Sequence, residues 1–566
     1  MSRSIPRRLF LGAGLAAVGG FLTAPSLARA FDPPLFLRRR PSWITPTASA
    51  PIRAIAGMPA PLVVDGLPFH PAWLGDNFGD SYLPFHTPEA PPTWSQVDER
   101  VDVAIIGGGL AGLACARELR GRDWVVMDLR ERFGGNAIGE SWNHLPYSLG
   151  SAYFMMPDKG SDLDRLYQSL GVYELARIDD GTGFRVEYGG QILDDLCKGC
   201  TADELAALAR YRAAVTHYAE IEYPEIPWTS DASRRLVRTL DAMTLHESIA
   251  LTCKTPMPGL LAKSLQAYCY SSFGVGWDEL SAAAGWNFVA AEEYGRIVLP
   301  GGNAGLATLL WNDLMREGPL RSDADRLRAG CIATSVKVER EGVAIAWRGT
   351  DGVSRTLGAR HVIYAGSKHI LRHMMPDLPT IDPAKLEATQ RVHTVPYIVA
   401  NVLVTRRVRE EFYDIFAVHD EAFPMNDESF EQDRRITDAL DGAFAVATPH
   451  MHGDVLTLYW PLPWHTARFT IINEGALAEY ASRAAPQIHR LLALVGLAPS
   501  DVASIRMARW GHAMPWAPPG SYADELCYQL RAPVQDRVWF ANQDNWLLPA
   551  VETCLTEAAW VAKQLD

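Results

Sequence analysis

Cysteine is scarce, with eight in 566 residues, too few to staple a fold of this size. The one close pair is Cys197-Lys198-Gly199-Cys200, and Thr201 stands where covalent haem attachment needs His. No second CxxC exists to complete a zinc site, so the pair reads as two ordinary thiols or one local disulfide and is given no chemistry. Basic residues are also in deficit, 53 Lys and Arg against 66 Asp and Glu, for a formal charge of −13. Residues 1–30 hold four arginines and no acid, and taking those four charges from −13 leaves −17 for the remainder. Such a surface disfavours nucleic acid and anionic membrane as partners and is permissive for cationic small molecules. No apolar run is long enough to span a bilayer comfortably. Internal repeats are absent, as are Gly-x-Ser-x-Gly, Walker and kinase motifs, so hydrolase and phosphoryl-transfer readings have no support. What remains, at 48% hydrophobic and 21% charged, has ordinary globular composition and length for several folding units.

What is present begins with an address. Arg7-Arg8 is followed at once by an apolar run, Leu9 to Leu22, and then by Ala28-Arg29-Ala30, a small-x-small cleavage pattern. Residues 1–30 therefore read as a twin-arginine signal peptide, which implies a periplasmic protein exported after folding and cofactor loading, without stable membrane insertion. Residues 31–97, with Pro33-Pro34, Arg38-Arg39-Arg40 and Pro91-Pro92, read as a Pro-rich N-terminal arm. From Val101 onward β-like and helix-like segments alternate. Helical periodicity spans Ala202 to Ala219 and Leu477 to Val495, where Pro486 is expected to kink or break the helix. Strand-like runs lie at Val336–Trp347, His361–Ala365, Ile398–Val404 and Val538–Ala541. The mixture argues for an α/β or α+β chain.

The first informative motif is Val101-Asp102-Val103-Ala104-Ile105-Ile106, a buried-strand run, followed directly by Gly107-Gly108-Gly109-Leu110-Ala111-Gly112 and a helical segment. Gly107 serves the tight turn, Gly109 lets backbone approach a pyrophosphate, and Gly112 permits close packing of helix on strand. The anion would sit on the helix N-terminus. A second strand, Trp124 to Met127, ends in Asp128, at the spacing expected of a carboxylate that binds ribose hydroxyls. The order of strand, glycines, helix, strand and acid reads as a Rossmann-type dinucleotide site, and alone it does not separate NAD from FAD.

The sequel Asp128-Leu129-Arg130-Glu131-Arg132-Phe133-Gly134-Gly135-Asn136 resembles the second half of the fingerprint in the flavin amine oxidase superfamily. There the arginine and glycine pair follow the diphosphate and the carboxylate takes the adenosine ribose. The resemblance continues through Leu145–Ser151 and through Leu299-Pro300-Gly301-Gly302. It extends to Thr334–Val338, whose Val336 backbone would meet the adenine, and to His361–Ala365, the strand returning to the cofactor at Ala365. It closes at Trp546-Leu547-Leu548-Pro549-Ala550-Val551-Glu552-Thr553, similar to the family's final FAD motif. The cofactor residues it implies are Gly107, Gly109, Leu110, Ala111, Gly112, Asp128, Leu129, Arg130, Gly134, Gly135, Asn136, Val336, Ala365, Pro549, Ala550, Glu552 and Thr553. Within the superfamily, Ser281–Trp286, Arg509–Ala513 and the twin-arginine start are similar to exported polyamine dehydrogenases of the spermidine dehydrogenase kind.

Two departures bear on chemistry. The strand Tyr397–Leu403 resembles one that carries a lysine near flavin N5 in many oxidases, yet Ala400 and Asn401 stand there. This puts fast reaction with oxygen in doubt and points to a dehydrogenase with another acceptor. Met514 stands where monoamine oxidases carry a flavin-linking cysteine, and Pro515 where they carry a cage tyrosine, so FAD is expected to be non-covalent. An aromatic pair could be rebuilt from Trp516 and Trp546, or both could be packing residues; His512 is a candidate base or a structural histidine. Candidate catalytic residues are therefore Asn401, His512, Trp516 and Trp546. His450-Met451-His452 raises a metal or axial haem reading, but no ligand joins the two histidines at a diagnostic spacing; no metal is assigned, and haem is the minority reading. Glu292-Glu293 and Asp278-Glu279 could hold a polyamine's distal ammonium or be solvated charge.

The expected fold is α/β with an α+β substrate part: a discontinuous Rossmann-type FAD-binding domain from 98–160, 296–370 and 505–566, and a substrate domain from 161–295 and 371–504. The expected function is FAD-dependent removal of hydride from a carbon next to an amine or polyamine nitrogen. The alternatives are an FAD-dependent desaturase of a hydrophobic substrate, or a flavin-binding partner without turnover. The acceptor and oligomeric state are not legible.

Overall fold

The computed structural model describes residues 49–78, 91–181, 185–197, 199–316, 326–408, 412–418, 435–446 and 453–565. The Arg7-Arg8 pair and His450/His452 lie outside the described residues.

One sheet is built on the strand Glu99–Ile106, whose residues from Val103 onward are all buried. Such a run needs cover on both faces, as parallel strands do. It pairs in parallel with Trp124–Met127 on one side and with Ser354–Tyr364 on the other. Leu327–Arg328 and Val538–Phe540 extend the two sides, also in parallel. The helices Leu110–Glu118, Asn303–Met315 and Val551–Leu565 cover one face through a shared core that includes Leu113, Leu310 and Leu555. Gly112 allows this approach, because a Cβ there would lie 1.9 Å from the Gly107 carbonyl oxygen.

Among the described residues the second sheet has ten strands, with Asp454–Pro461, His393–Val404 and Val502–Trp516 adjacent and antiparallel. The helices Ala202–Glu220, Leu245–Cys253, Gly259–Phe273 and Ala282–Ala291 share a further core. Helix Ala476–Leu494 packs its buried face on the central strands. Among the described residues no helix is long and apolar enough to cross a membrane.

The structure differs from the sequence reading in four places. The run Val336–Trp347 is two antiparallel strands, Ile332–Val338 and Val343–Arg348, turned at Gly342, which accepts from the Glu339 N–H at 2.8 Å. Helix Ala476–Leu494 runs through Pro486 unbroken, held by its buried stripe Tyr480, Ala481, Ala484, Ala485 and Ile488. Tertiary packing there outweighs the lost hydrogen bond of one proline. Residues Leu62–Val64, Leu67–Phe69 and Leu74–Gly75 of the N-terminal arm are strands of the ten-stranded sheet, with Leu67 and Phe69 fully buried. The segment Val502–Trp516 also belongs to that sheet, so 505–516 sits apart from the parallel strands with which it was grouped.

Cys197 and Cys200 form a disulfide.

The glycines give a contrast that can be measured. Gly112→Ala should lower stability by about 1–3 kcal/mol or more, the usual cost of overpacking. Gly109→Ala should leave the cofactor-free protein near its original midpoint, since a Cβ there meets nothing nearer than 3.6 Å. Urea unfolding of both variants checks the difference; equal losses would contradict it.

Candidate active site

A single cavity of about 800 Å³ begins at the carboxyl ends of the parallel strands and runs to the ten-stranded sheet. This is toward the upper end of the roughly 300–1,000 Å³ usual for ligand pockets. Its floor is where two glycine loops meet. The Gly134 N–H donates to the Gly108 carbonyl at 2.8 Å. A Cβ on Gly135 would lie 2.9 Å from the Gly109 Cα. Backbone is therefore exposed to the cavity with no side chain in the way. Helix Leu110–Glu118 starts from Gly109, which has no side chain to cap it. Its first free N–H groups are left to meet an anion, with the helix dipole behind them.

Asp128 is buried and lines the same cavity. Its Oδ2 accepts from the Gly108 N–H at 2.7 Å and its Oδ1 from the Arg130 N–H at 2.8 Å. Burial pushes its carboxyl above the usual range, against the pull of Arg130. The carboxylate is thus oriented before any ligand arrives. Gly107, Gly109, Leu110, Ala111, Asp128, Leu129, Arg130, Gly134, Gly135, Asn136, Ala365, Pro549, Ala550, Glu552 and Thr553 all line this cavity. Gly112 and Val336 do not. Gly112 lies behind the loop as a packing glycine. Val336 is buried mid-strand opposite Ile345, and the wall near it comes from Cys331 and Ala333, closer to the strand's start. Glu552 acts through its side chain, accepting the Met155 N–H at 2.6 Å.

These residues fit a dinucleotide: bare backbone and an uncapped helix start for a diphosphate, with a fixed carboxylate for a ribose. A flavin bound here would add a hydride-accepting ring at the far end.

That far end is walled by aromatics from other elements. Tyr397 and Tyr459 both line it, with ring centroids 5.8 Å apart at 85°. They meet because Val399 pairs with Tyr459 across the strands, which leaves Tyr397 on the diagonal. Tyr153, Tyr223, Tyr294 and Phe288 complete the wall. The proposed tryptophans are not part of it. Trp546 is buried, donates its indole N–H to Glu557 at 3.0 Å and packs edge-on to Trp228 and Tyr528. Trp516 packs on His393 and Trp464. Asn401 is also outside the wall: its amide donates to the Ser148 carbonyl at 3.0 Å and accepts from Thr457 Oγ1 at 2.7 Å. Ala400 faces the opposite core. The strand presents Tyr397 and Val399 to the cavity instead.

Carboxylates stand behind the tyrosines. The Tyr397 hydroxyl donates to the Ser271 carbonyl at 3.1 Å, and Ser271 Oγ donates to Asp438 at 3.0 Å. Arg296, under the Tyr153 ring at 5.0 Å, is bonded to Asp179 at 2.7 Å and to Asp414 at 2.6 Å. Glu292 lies 3.6 Å from the same arginine, and burial pushes its carboxyl up to about 7. Three acids, Asp179, Asp414 and Glu292, thus share one guanidinium.

His512 lines the cavity with its ring stacked on His369, centroids 3.4 Å apart. Its Nδ1 lies 2.7 Å from Thr394 Oγ1. Burial, with Arg468 nearby, holds both rings well below the usual imidazole range, His369 at about 3, so both are neutral. Lys368 lies just outside the wall, fully buried, with Nζ donating to Asn542 at 2.8 Å and Asn545 at 2.5 Å. Its backbone N–H donates to Asp544, which does line the cavity. Arg509, likewise buried, is directed away to the Asp76 and Ile471 carbonyls.

Burial lowers the Lys368 amine to about 8 from an ordinary value of 10.5, against the pull of Asp544. Between these values the unfolded chain holds more protons than the folded one, so this group makes stability rise with pH across that window. Lys368→Met should flatten that part of the curve, measured as urea midpoints from pH 7.5 to 10.5. An unchanged slope would contradict the assignment.

Comparison with known proteins agrees with this geometry. Residues 110–490, more than half of the chain, match the family described as flavin containing amine oxidoreductase. Among curated proteins, oxidoreductase PigB of Serratia sp. (strain ATCC 39006) is 22% identical over 521 residues, covering 83% of this chain and 76% of PigB. Among solved structures, cyclohexylamine oxidase from Brevibacterium oxydans IH-35A superimposes with a TM-score of 0.59 at 18% identity, over 82% of this chain and 98% of that one. A putrescine oxidase bound to putrescine gives a TM-score of 0.59 at 15% identity, over 82% and 98%. The sheet built on Glu99–Ile106, with its two glycine loops, is accordingly the Rossmann-type FAD-binding fold, and the chain belongs to the flavin-containing amine oxidoreductase family as an FAD-dependent oxidoreductase.

Proposed function

We propose that this protein is an exported amine dehydrogenase that removes hydride from the carbon next to the nitrogen of a small amine or polyamine, uses non-covalent FAD, and passes electrons to a carrier other than oxygen. The observation that carries the reading is the continuity of one cavity from the glycine loops to the tyrosine pair with carboxylates behind it. Bound FAD supplies the hydride acceptor. The chain supplies position and electrostatics. Tyr397 and Tyr459 offer electron-rich rings to the amine, and the acids around Arg296 make the end of the cavity favourable to a cationic substrate on arrival.

Hydride leaves from a neutral amine, so flavin reduction should rise with pH through the substrate's amine pKa. His369 and His512, held neutral, are available to accept a hydrogen bond without adding positive charge. Non-covalent binding is supported by Met514, which lines the cavity in place of a linking thiol. A non-oxygen acceptor is supported by a cavity wall without lysine among the described residues, Arg130 being its lone fixed cation. A nearby ammonium stabilises the charge that develops as oxygen takes an electron. One structural relative is a putrescine oxidase bound to putrescine, which supports a small amine here. Export is supported by Arg7-Arg8 and the apolar run after them, with the Cys197–Cys200 disulfide in keeping with an oxidising compartment.

Anaerobic mixing with a panel of mono-, di- and polyamines should bleach the flavin band, and the reduced protein should reoxidise slowly in air and quickly with a quinone or phenazine dye. Bleaching by no amine sinks the substrate class, and air oxidation as fast as dye oxidation sinks the acceptor. Separately, Asp128→Ala should weaken FAD binding roughly ten- to a hundredfold, from loss of charge-assisted hydrogen bonds. Equilibrium titration of apoprotein with FAD measures it, and unchanged affinity would remove Asp128 from the ribose site.

A further inference from the structure

The N-terminal segment lies outside the residues that match the family, yet it crosses from the floor of the cavity to the ten-stranded sheet. Ser49 accepts from the Phe133 N–H at 3.1 Å, and Ile52–Ala54 pairs in parallel with Gly139–Ser141 beside the second glycine loop. Farther on, the His70 N–H donates to Ile505 at 2.8 Å and Leu74–Gly75 pairs in parallel with Ala508–Arg509. Gly75 has φ +82°, and a Cβ on it would lie 2.5 Å from the Arg509 carbonyl oxygen, so the two backbones touch. Arg509 is clasped between the rings of Trp73 and Phe78, 5.4 and 4.9 Å from their centroids.

This path ends with Asp76 in the cavity wall. Its backbone N–H donates to Arg509 at 2.9 Å, its carbonyl accepts from Arg509 Nε at 3.1 Å, and its Oδ2 accepts from the Gly511 N–H at 2.8 Å. Its Oδ1 accepts from Arg130 Nη2 at 2.5 Å, in a pair whose carboxylate is only 6% exposed. The Arg130 guanidinium also lies 5.3 Å from the Trp510 ring centroid. A carboxylate in a cavity whose floor suits a diphosphate is repulsive as a bare charge. What it contributes is geometry: a fixed acceptor holds one N–H of a planar five-donor group and aims the others.

We propose that residues 72–78 form a latch across the flavin cleft, and that Asp76 is the positioning residue that closes it by holding Arg130. The proposal rests on the reading that FAD is non-covalent with its diphosphate at Arg130. Latching and repulsion predict opposite signs. If Asp76 were only a like charge beside the diphosphate, removing it would slow FAD loss; if it closes the latch, removing it speeds the loss.

The test follows free-flavin fluorescence after dilution of the loaded, full-length protein. Asp76→Asn, which keeps its shape and its acceptor for Gly511, should release FAD at least threefold faster, and Asp76→Ala at least tenfold. Gly75→Val, which lifts the strand with Asp76 intact, should also speed release. In an Arg130→Gln background, Asp76→Asn should add less than twofold, a coupling that a merely structural role would not produce. Release from Asp76→Asn that is slower than the original protein, or within twofold of it, overturns the latch, as does full additivity with Arg130→Gln. Acid precipitation separates the two levels: flavin retained in the pellet removes the non-covalent reading and the latch with it, whereas flavin freed by acid with unchanged release rates removes the latch alone.

Discussion

The contact on which this structure depends is backbone against backbone, where Gly109 and Gly135 meet with no side chain between them. That approach does two things. It ties the first strand–helix turn to the loop after Trp124–Met127 through the Gly134 to Gly108 hydrogen bond. It also leaves peptide groups and an uncapped helix start as the surface that a diphosphate meets. Gly112 serves the same end from behind, since the helix can lie against the strand only where no Cβ stands between them. Asp128 can point along the cleft because each loop supplies one N–H group that holds it, Gly108 from the first turn and Arg130 from the loop after Trp124–Met127.

The opposite end of the cavity follows other physics. Its wall comes from elements far apart in sequence, and its character is set by aromatic rings in front and carboxylates behind. One arginine neutralises part of that charge, and burial pushes Glu292 up to about 7, so the acids relieve their crowding partly by holding protons. An amine entering this region meets ring faces and acceptors, while Arg130, a fixed cation of the wall, sits with the glycine loops.

The sequence made the glycine-loop end legible because each of its signals is local: a strand, three glycines at fixed spacing, a helix, a second strand and an acid within about thirty residues. The closing segment Pro549–Thr553 was legible for the same reason. The tyrosine pair was not, because Tyr397 and Tyr459 are brought together by strand register, and both strands are buried on both faces. With no polar face, the alternation that marks cavity-facing positions is hidden. Trp516 and Trp546 lay near recognisable motifs and drew attention by proximity in sequence, but their neighbours in space are other aromatics and Glu557. Asp76 was hidden differently. The strand just before it, Leu74–Gly75, is two residues long, within a proline-rich segment that shows no period.

The central claim is that one cavity seats FAD with its diphosphate on the glycine loops and its ring at the tyrosine pair. A crystal structure of the loaded protein tests it most directly. The account predicts flavin density with the diphosphate against Gly109, Gly134 and Arg130, a ribose on Asp128, and the ring reaching Tyr397 and Tyr459. A ring lying away from both tyrosines, or a diphosphate off the glycine loops, would contradict it.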